Sequence, residues 1–206
     1  MIYLSEEINV SGQDQDIWKK KTGEPGEEQK PKISIPAEIY DWVQSIMMAL
    51  IVCILVFLFF GHGVDVIGDS MVPTLQWYDK LFISDLFYTP ENGDIVVFRA
   101  DTYREEPLVK RVIAVEGQTV NIDFDQGIVY VDGVALDEPY INAPTFNKIN
   151  FDGEVTVPEG HVFVMGDNRN NSADSRDDRI GFVDVRCILG KAYFRFYPFS
   201  ELGFVS

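Results

Sequence analysis

Cysteine, histidine and cationic side chains are all scarce in this chain, and each scarcity closes off a class of chemistry. Only two cysteines, Cys53 and Cys187, occur among 206 residues. The first lies in an apolar run and the second far downstream, so there is no internal pair of the kind that staples small exported domains. Cys187 is read as a small core residue. With only two histidines, His62 and His161, no His/Cys cluster has metal-ligand spacing. The acidic, Asn-rich stretch from Asp167 to Asp178 carries Ser172 and Asp178 where a calcium loop needs glycine and glutamate. No glycine-rich phosphate loop is present, so neither a metal nor a cofactor is expected. Lysine and arginine number 17 against 33 acidic residues, a formal net charge of −16. That balance argues against a nucleic-acid partner, which needs a basic patch.

Long hydrophobic runs are equally scarce, with one exception. Trp42 to Phe60 is interrupted by nothing more polar than Gln44 and Ser45. A spanning helix needs roughly 20 apolar residues, and an amphipathic globular helix would show a polar face that this run lacks. A cleaved signal peptide has a shorter apolar region followed by a small-residue site, whereas here His62 follows. The expectation is an uncleaved transmembrane helix over 42–61. Lys21, Lys30 and Lys32 lie upstream and only Lys80 in the twenty residues downstream. By the lysine and arginine asymmetry the amino terminus is cytoplasmic and the remainder extracytoplasmic. Residues 1–41 carry five Lys and nine acidic residues with no sustained apolar period, the composition of a flexible acidic tail.

Residues 62–206 are enough for one domain with its own core. Leu81-Phe82-Ile83, Asp94 to Phe98, Leu108 to Val115, Thr119 to Ile122, Ile128 to Val131 and His161 to Val164 are short β-branched or aromatic runs. Asn92-Gly93, Asp132-Gly133 and Asp152-Gly153 are turn dipeptides between them. No amphipathic helix of ten residues follows Phe60, so a mainly β domain is expected.

Gly68-Asp69-Ser70-Met71-Val72-Pro73-Thr74-Leu75 places a serine a few residues beyond the apolar run. A lone serine in such a turn is usually a turn residue; as a nucleophile it needs a base to take its proton. Neither histidine sits in a recognisable Ser/His/Asp pattern. The other available base is Lys110, on a run where alternation puts Leu108, Lys110 and Val112 on one face. If protein and membrane cover that face, desolvation favours the neutral amine. A lysine starts near ~10.4 and a useful base lies near ~7–8. The polar run Gly166 to Arg176 adds hydroxyls and a carboxylate/guanidinium pair able to orient such an amine.

The order of apolar anchor, Gly-Asp-Ser-Met-x-Pro-Thr-Leu, Gly-Asp-Ile-Val-Val-Phe, Lys-Arg-Val-Ile-Ala-Val-x-Gly and Gly-Asp-Asn-Arg-x-Asn-Ser-x-Asp-Ser-Arg resembles the bacterial type I signal peptidases of the short, single-anchor kind. The resemblance covers about Trp42 to Tyr197. It implies a membrane-bound serine endopeptidase that removes signal peptides from exported preproteins with a Ser/Lys dyad and an acyl-enzyme intermediate. Ser70 would be the nucleophile, Lys110 the general base, Ser172 a hydrogen-bonding partner of the lysine amine, and Asp174 with Arg176 a supporting ion pair. The implied fold is a mostly antiparallel, extracytoplasmic β domain with a smaller β excursion near 117–157.

Substrates of the family bind as an extended strand with small side chains at the first and third positions before the cut. Here that strand would lie between Asp65-Val66-Ile67 and Leu108-Val109, with Val66, Met71, Leu75 and Val109 as pocket walls. The partners implied are secretory preproteins and the lipid bilayer. Gly68 stands where some members have a serine able to donate to the oxyanion; the turn itself is an equal reason for a glycine there. Two rival readings are a soluble self-cleaving repressor-type protease, which suits neither anchor nor acidic tail, and a noncatalytic chaperone-like relative in pilus assembly, which would lose the dyad that this chain keeps.

Overall fold

The computed structural model describes residues 35–205; most of the tail read at 1–41 lies outside them. The chain divides at Ile51 and Val52 into two units. Helix α1 (Ile35–Phe60) runs through the apolar stretch. Trp42, Val43, Met48 and Ile51, which together circle the helix axis, are all exposed. Side chains are described from Ile39 to Leu55, about 25 Å of helix at the α-helical rise, against roughly 30 Å of bilayer core. Among the described residues no helix is long and apolar enough to cross a membrane.

The second unit is built of antiparallel sheet. Its strands are β1 (His62–Asp65), β2 (Lys80–Ser84), β3 (Ile95–Ala100), β4 (Arg104–Val115), β5 (Thr119–Asp123), β6 (Ile128–Val131), β7 (Val134–Ala135), β8 (Val155–Thr156), β9 (His161–Met165), β10 (Val183–Asp184), β11 (Ile188–Tyr197) and β12 (Gly203–Phe204). The main sheet has the order β1-β2-β11-β3-β4-β9-β10, with β12 on β11; a second sheet has the order β7-β6-β5-β8. Beyond α1 the helical elements among the described residues are two three-residue 3₁₀ turns. The β6–β7 hairpin closes through Asp132-Gly133, with φ of +50° and +76°, the two positive values that a two-residue type I′ turn demands.

The six β runs read from the sequence lie on β2, β3, β4, β5, β6 and β9. Strand β11, the longest after β4, was not among them. Its apolar residues are interleaved with Lys191 and Arg195, and it carries a bulge next to Gly190. Yet it sits between β2 and β3 at the centre of the sheet. Cys187, expected in the core, is exposed, because it falls in the 3₁₀ turn Val185–Cys187 that leads into β11.

Strand β4 organises the molecule. One edge pairs with β3 from Arg104 to Arg111; the other pairs with β9 only from Arg111 to Val115. Residues 104–110 therefore keep one edge without a strand partner among the described residues. Every residue from Leu108 to Ala114 is buried, so alternation along β4 does not separate a wet face from a dry one. Val109 joins a core cluster with Val66, Met71, Leu75, Leu81, Ile83, Ile95 and Val97. Leu108 and Val112 join a second cluster with Val96, Phe98 and Val164. Ile113 and Ala114 lead into a third, which the second sheet completes through Val120, Ile122, Val129 and Val131.

Candidate active site

Ser70 is delivered by a turn pinned at both ends. After β1, the Val66 N–H donates to the Asp79 carbonyl at 2.8 Å and the Tyr78 N–H to the Val66 carbonyl at 2.9 Å. The chain then passes Gly68 at φ +106° into a single helical turn closed by Leu75 N–H to Met71 carbonyl, 2.9 Å. Met71 and Leu75 are fully buried. Their burial anchors the turn from below and leaves Ser70 partly exposed.

Lys110 meets Ser70 from β4, forty residues later. Its Nζ lies 2.7 Å from Ser70 Oγ and 2.8 Å from the Val109 carbonyl. The residue is 1% exposed, so its burial is supplied by the protein fold and needs no bilayer. Removing an ammonium from water disfavours the charged form. That desolvation lowers the lysine to about 8; the Asp174 carboxylate pulls back upward, and Arg104 adds to the lowering.

The run Gly166 to Arg176 wraps this pair. The Asn168 N–H donates to the Ser70 carbonyl and its Nδ2 to the Asp69 carbonyl, both at 3.0 Å. Asp174 and Arg176 form a fully buried pair, Nε–Oδ1 2.9 Å and Nη2–Oδ2 2.8 Å, and Asp174 also accepts from the Gly166 N–H at 3.1 Å. A Cβ on Gly166 would overlap both Ser172 Oγ and the Ser70 carbonyl, which is why a glycine starts the loop.

Ser172 departs from the expectation. Its Oγ is buried and has no hydrogen-bond partner among the described residues; its side chain packs against Gly166, while the amine contacts Ser70 and Val109.

Several site residues were not singled out from sequence. Arg111 and Asp167 form a buried bidentate pair, Nε–Oδ1 2.9 Å and Nη2–Oδ2 2.8 Å. Thr74 Oγ1 donates to the same carboxylate at 2.5 Å. Strand, polar loop and serine turn are thus tied by one carboxylate. The available signal was that Arg111 follows the lysine directly and Asp167 opens the polar run, but only proximity in space pairs them.

The four expected pocket residues come together in one cluster, with Val66 2%, Met71 1%, Leu75 0% and Val109 9% exposed. They form a closed floor beside the Ser70 turn.

A profile described as signal peptidase, peptidase S26 matches residues 39–197, which contain both the Ser70 turn and the Lys110 strand. The chain belongs to the signal peptidase family. A probable signal peptidase I-1 from Synechocystis sp. is 41% identical over 171 residues, covering 78% of this chain and 84% of the relative. Signal peptidase I S from Bacillus subtilis is 38% identical over 183 residues, 82% of this chain and 95% of the relative. A solved signal peptidase I from Enterococcus faecalis V583 aligns with 50% of this chain and 97% of its own at 31% identity, with a TM-score of 0.42. As a signal peptidase the chain is a serine endopeptidase; among the described residues Ser70 holds a partly exposed hydroxyl against the buried Lys110 amine.

Proposed function

We infer that this chain is a membrane-anchored signal peptidase I that cleaves signal peptides from secretory preproteins with Ser70 as nucleophile and Lys110 as general base. The observation that carries the reading is the 2.7 Å contact between Lys110 Nζ and Ser70 Oγ at a buried amine. With the amine neutral, its lone pair accepts the serine proton as Oγ attacks the scissile carbonyl. The tetrahedral intermediate collapses by expelling the new amino terminus, which takes that proton from Lys110, and leaves an acyl ester on Ser70. Water, deprotonated by the same amine, then attacks the ester and releases the signal peptide. The developing oxyanion needs preorganised donors; the Ser70 N–H has no acceptor among the described residues and is available for it. The Asp174–Arg176 pair holds the loop that packs around the amine.

Substrate pairing is supported by the open edge of β4 at 104–110, to which an extended peptide adds by main-chain hydrogen bonds. Beside it, the floor made by Val66, Met71, Leu75 and Val109 is already filled. The shallow space above such a floor accepts small side chains and excludes large ones.

The anchor is α1, apolar around its circumference and with no charge from Trp42 to Phe60. Residues 1–41 then lie in the cytoplasm, 42–61 cross the membrane, and 62–206 form the extracytoplasmic domain with its smaller β excursion near 117–157. The deciding experiment compares cleavage of a test preprotein in detergent by the wild type and by Ser70→Ala. The wild type should process it and the variant should not; processing by Ser70→Ala at the wild-type rate would place the nucleophile elsewhere.

A further inference from the structure

The residues that follow β7 return from the second sheet to the polar loop and bind it at many points. Glu138 meets Arg169 through two charge-assisted bonds, Oε1–Nη2 at 2.5 Å and Oε2–Nη1 at 2.8 Å. Arg169 is fully buried and Thr145, which accepts from Nη1 at 3.1 Å, is too. Tyr140 lies with its ring 3.9 Å from the Arg111 guanidinium and 5.9 Å from that of Arg169, so one aromatic ring neighbours two buried cations. Farther along, Asn170 Oδ1 accepts from the Phe146 and Asn147 N–H groups, and the Asn147 carbonyl accepts from Arg176 Nη1 at 2.7 Å.

Arg169 Nε donates to the Gly166 carbonyl at 3.1 Å. This bond closes the tight bend Gly166-Asp167-Asn168-Arg169, and Asn168 is the residue that holds the Ser70 and Asp69 carbonyls. A continuous physical chain therefore runs from Glu138 through Arg169 and the bend to the serine turn. Its contact with the 104–110 segment of β4 among the described residues is the one between Ser70 and the Lys110 side chain.

We propose that Glu138 and Arg169 are positioning residues, through which the second sheet sets the orientation of Ser70 for attack. The proposal rests on Ser70 being the nucleophile. It has a signature that a merely structural ion pair lacks. Replacing a buried pair by apolar residues of similar volume is often neutral for stability, whereas such a replacement also removes the Nε bond that closes the bend. A small misplacement of a reacting group costs up to about 100-fold in rate.

The experiment is the double replacement Glu138→Leu with Arg169→Met in the full chain, assayed in detergent beside the wild type and Ser70→Ala. The expected result is a melting temperature close to that of the wild type, kcat lower by about 10- to 100-fold and KM little changed. A folded double variant with wild-type kcat overturns the proposal, as does one in which only KM rises. Should the double variant not fold, Glu138→Gln measured well below its own melting point is read by the same criterion: reduced kcat at constant KM supports the proposal and wild-type kcat overturns it. Residual activity in Ser70→Ala would instead sink the assignment of the nucleophile, so the two failures are told apart.

Discussion

Asn168 grips the serine turn by two adjacent carbonyls, its main-chain N–H on Ser70 and its side-chain Nδ2 on Asp69, each at 3.0 Å. Ser70 is therefore fixed from the side of the polar loop, while Lys110 reaches it from β4. Lys110 and Asn168, 58 residues apart in sequence, converge on one serine, the first at its hydroxyl and the second at its carbonyl.

Ser70 and Lys110 should fail together. Groups that act as a unit are non-additive, so Ser70→Ala, Lys110→Ala and the double change should each lose nearly all turnover and lose it to the same extent. Lys110→Arg should fail too, because a guanidinium stays protonated. Steady-state cleavage of a preprotein checks this; substantial turnover in Lys110→Ala would remove the lysine from the mechanism.

The pH dependence has a definite sign. With Lys110 as the proposed base the neutral amine is the active form, so kcat/KM should rise with pH through a limb near about 8, the value to which burial lowers Lys110. The same shift acts on stability. With the folded value depressed below the unfolded one, the unfolded chain binds the extra proton between them, and this group's contribution to stability grows as pH rises from about 8 toward 10.5. Urea midpoints of wild type and Lys110→Met across that range should differ in slope. A limb at the ordinary lysine value would mean that the amine is hydrated.

Gly68 is needed for its backbone. At φ +106° a Cβ would meet nothing within 4 Å, so space is not the constraint, but an L side chain is strained there, on the order of 1–3 kcal/mol. Gly68→Ser should lower the melting temperature visibly. An unchanged melting temperature would leave room for a hydroxyl at the oxyanion and defeat the backbone account.

Asp167→Asn should be among the most damaging single changes outside the dyad. It removes the charge of the carboxylate that pairs with the buried Arg111, and breaking a buried pair from one side typically costs about 3–5 kcal/mol. Removing the exposed Lys148–Asp152 pair should leave unfolding unchanged within error. Denaturant titration of the two variants side by side is the check, and equal midpoints would show that Arg111 finds another partner.

Topology is checked by proteolysis. Protease added outside protoplasts should digest residues 62–206 and spare the amino-terminal tail. Digestion of the tail alone would reverse the orientation.

Much of this molecule was written locally. Alternating and β-branched runs such as Thr119 to Ile122 and Ile128 to Val131, joined by Gly- and Asn-containing turns, specify antiparallel strands because the two-residue period and the turn chemistry are properties of neighbours in the chain. The serine motif, the lysine and the polar run likewise stand as contiguous strings. Strand β11 was not legible in this way, since its pattern is broken by Lys191, Arg195 and a bulge, and only pairing on both edges with β2 and β3 makes it a strand. Tertiary structure alone decided that Lys110 is dry, because burial from Leu108 to Ala114 comes from strands and loops on both faces of β4. It also decided that Asp167 pairs with Arg111 and Glu138 with Arg169, and that Ser172 Oγ has no hydrogen-bond partner among the described residues. A buried charge takes whichever counter-charge the folded chain brings within hydrogen-bond reach, and that distance is not a property of sequence separation.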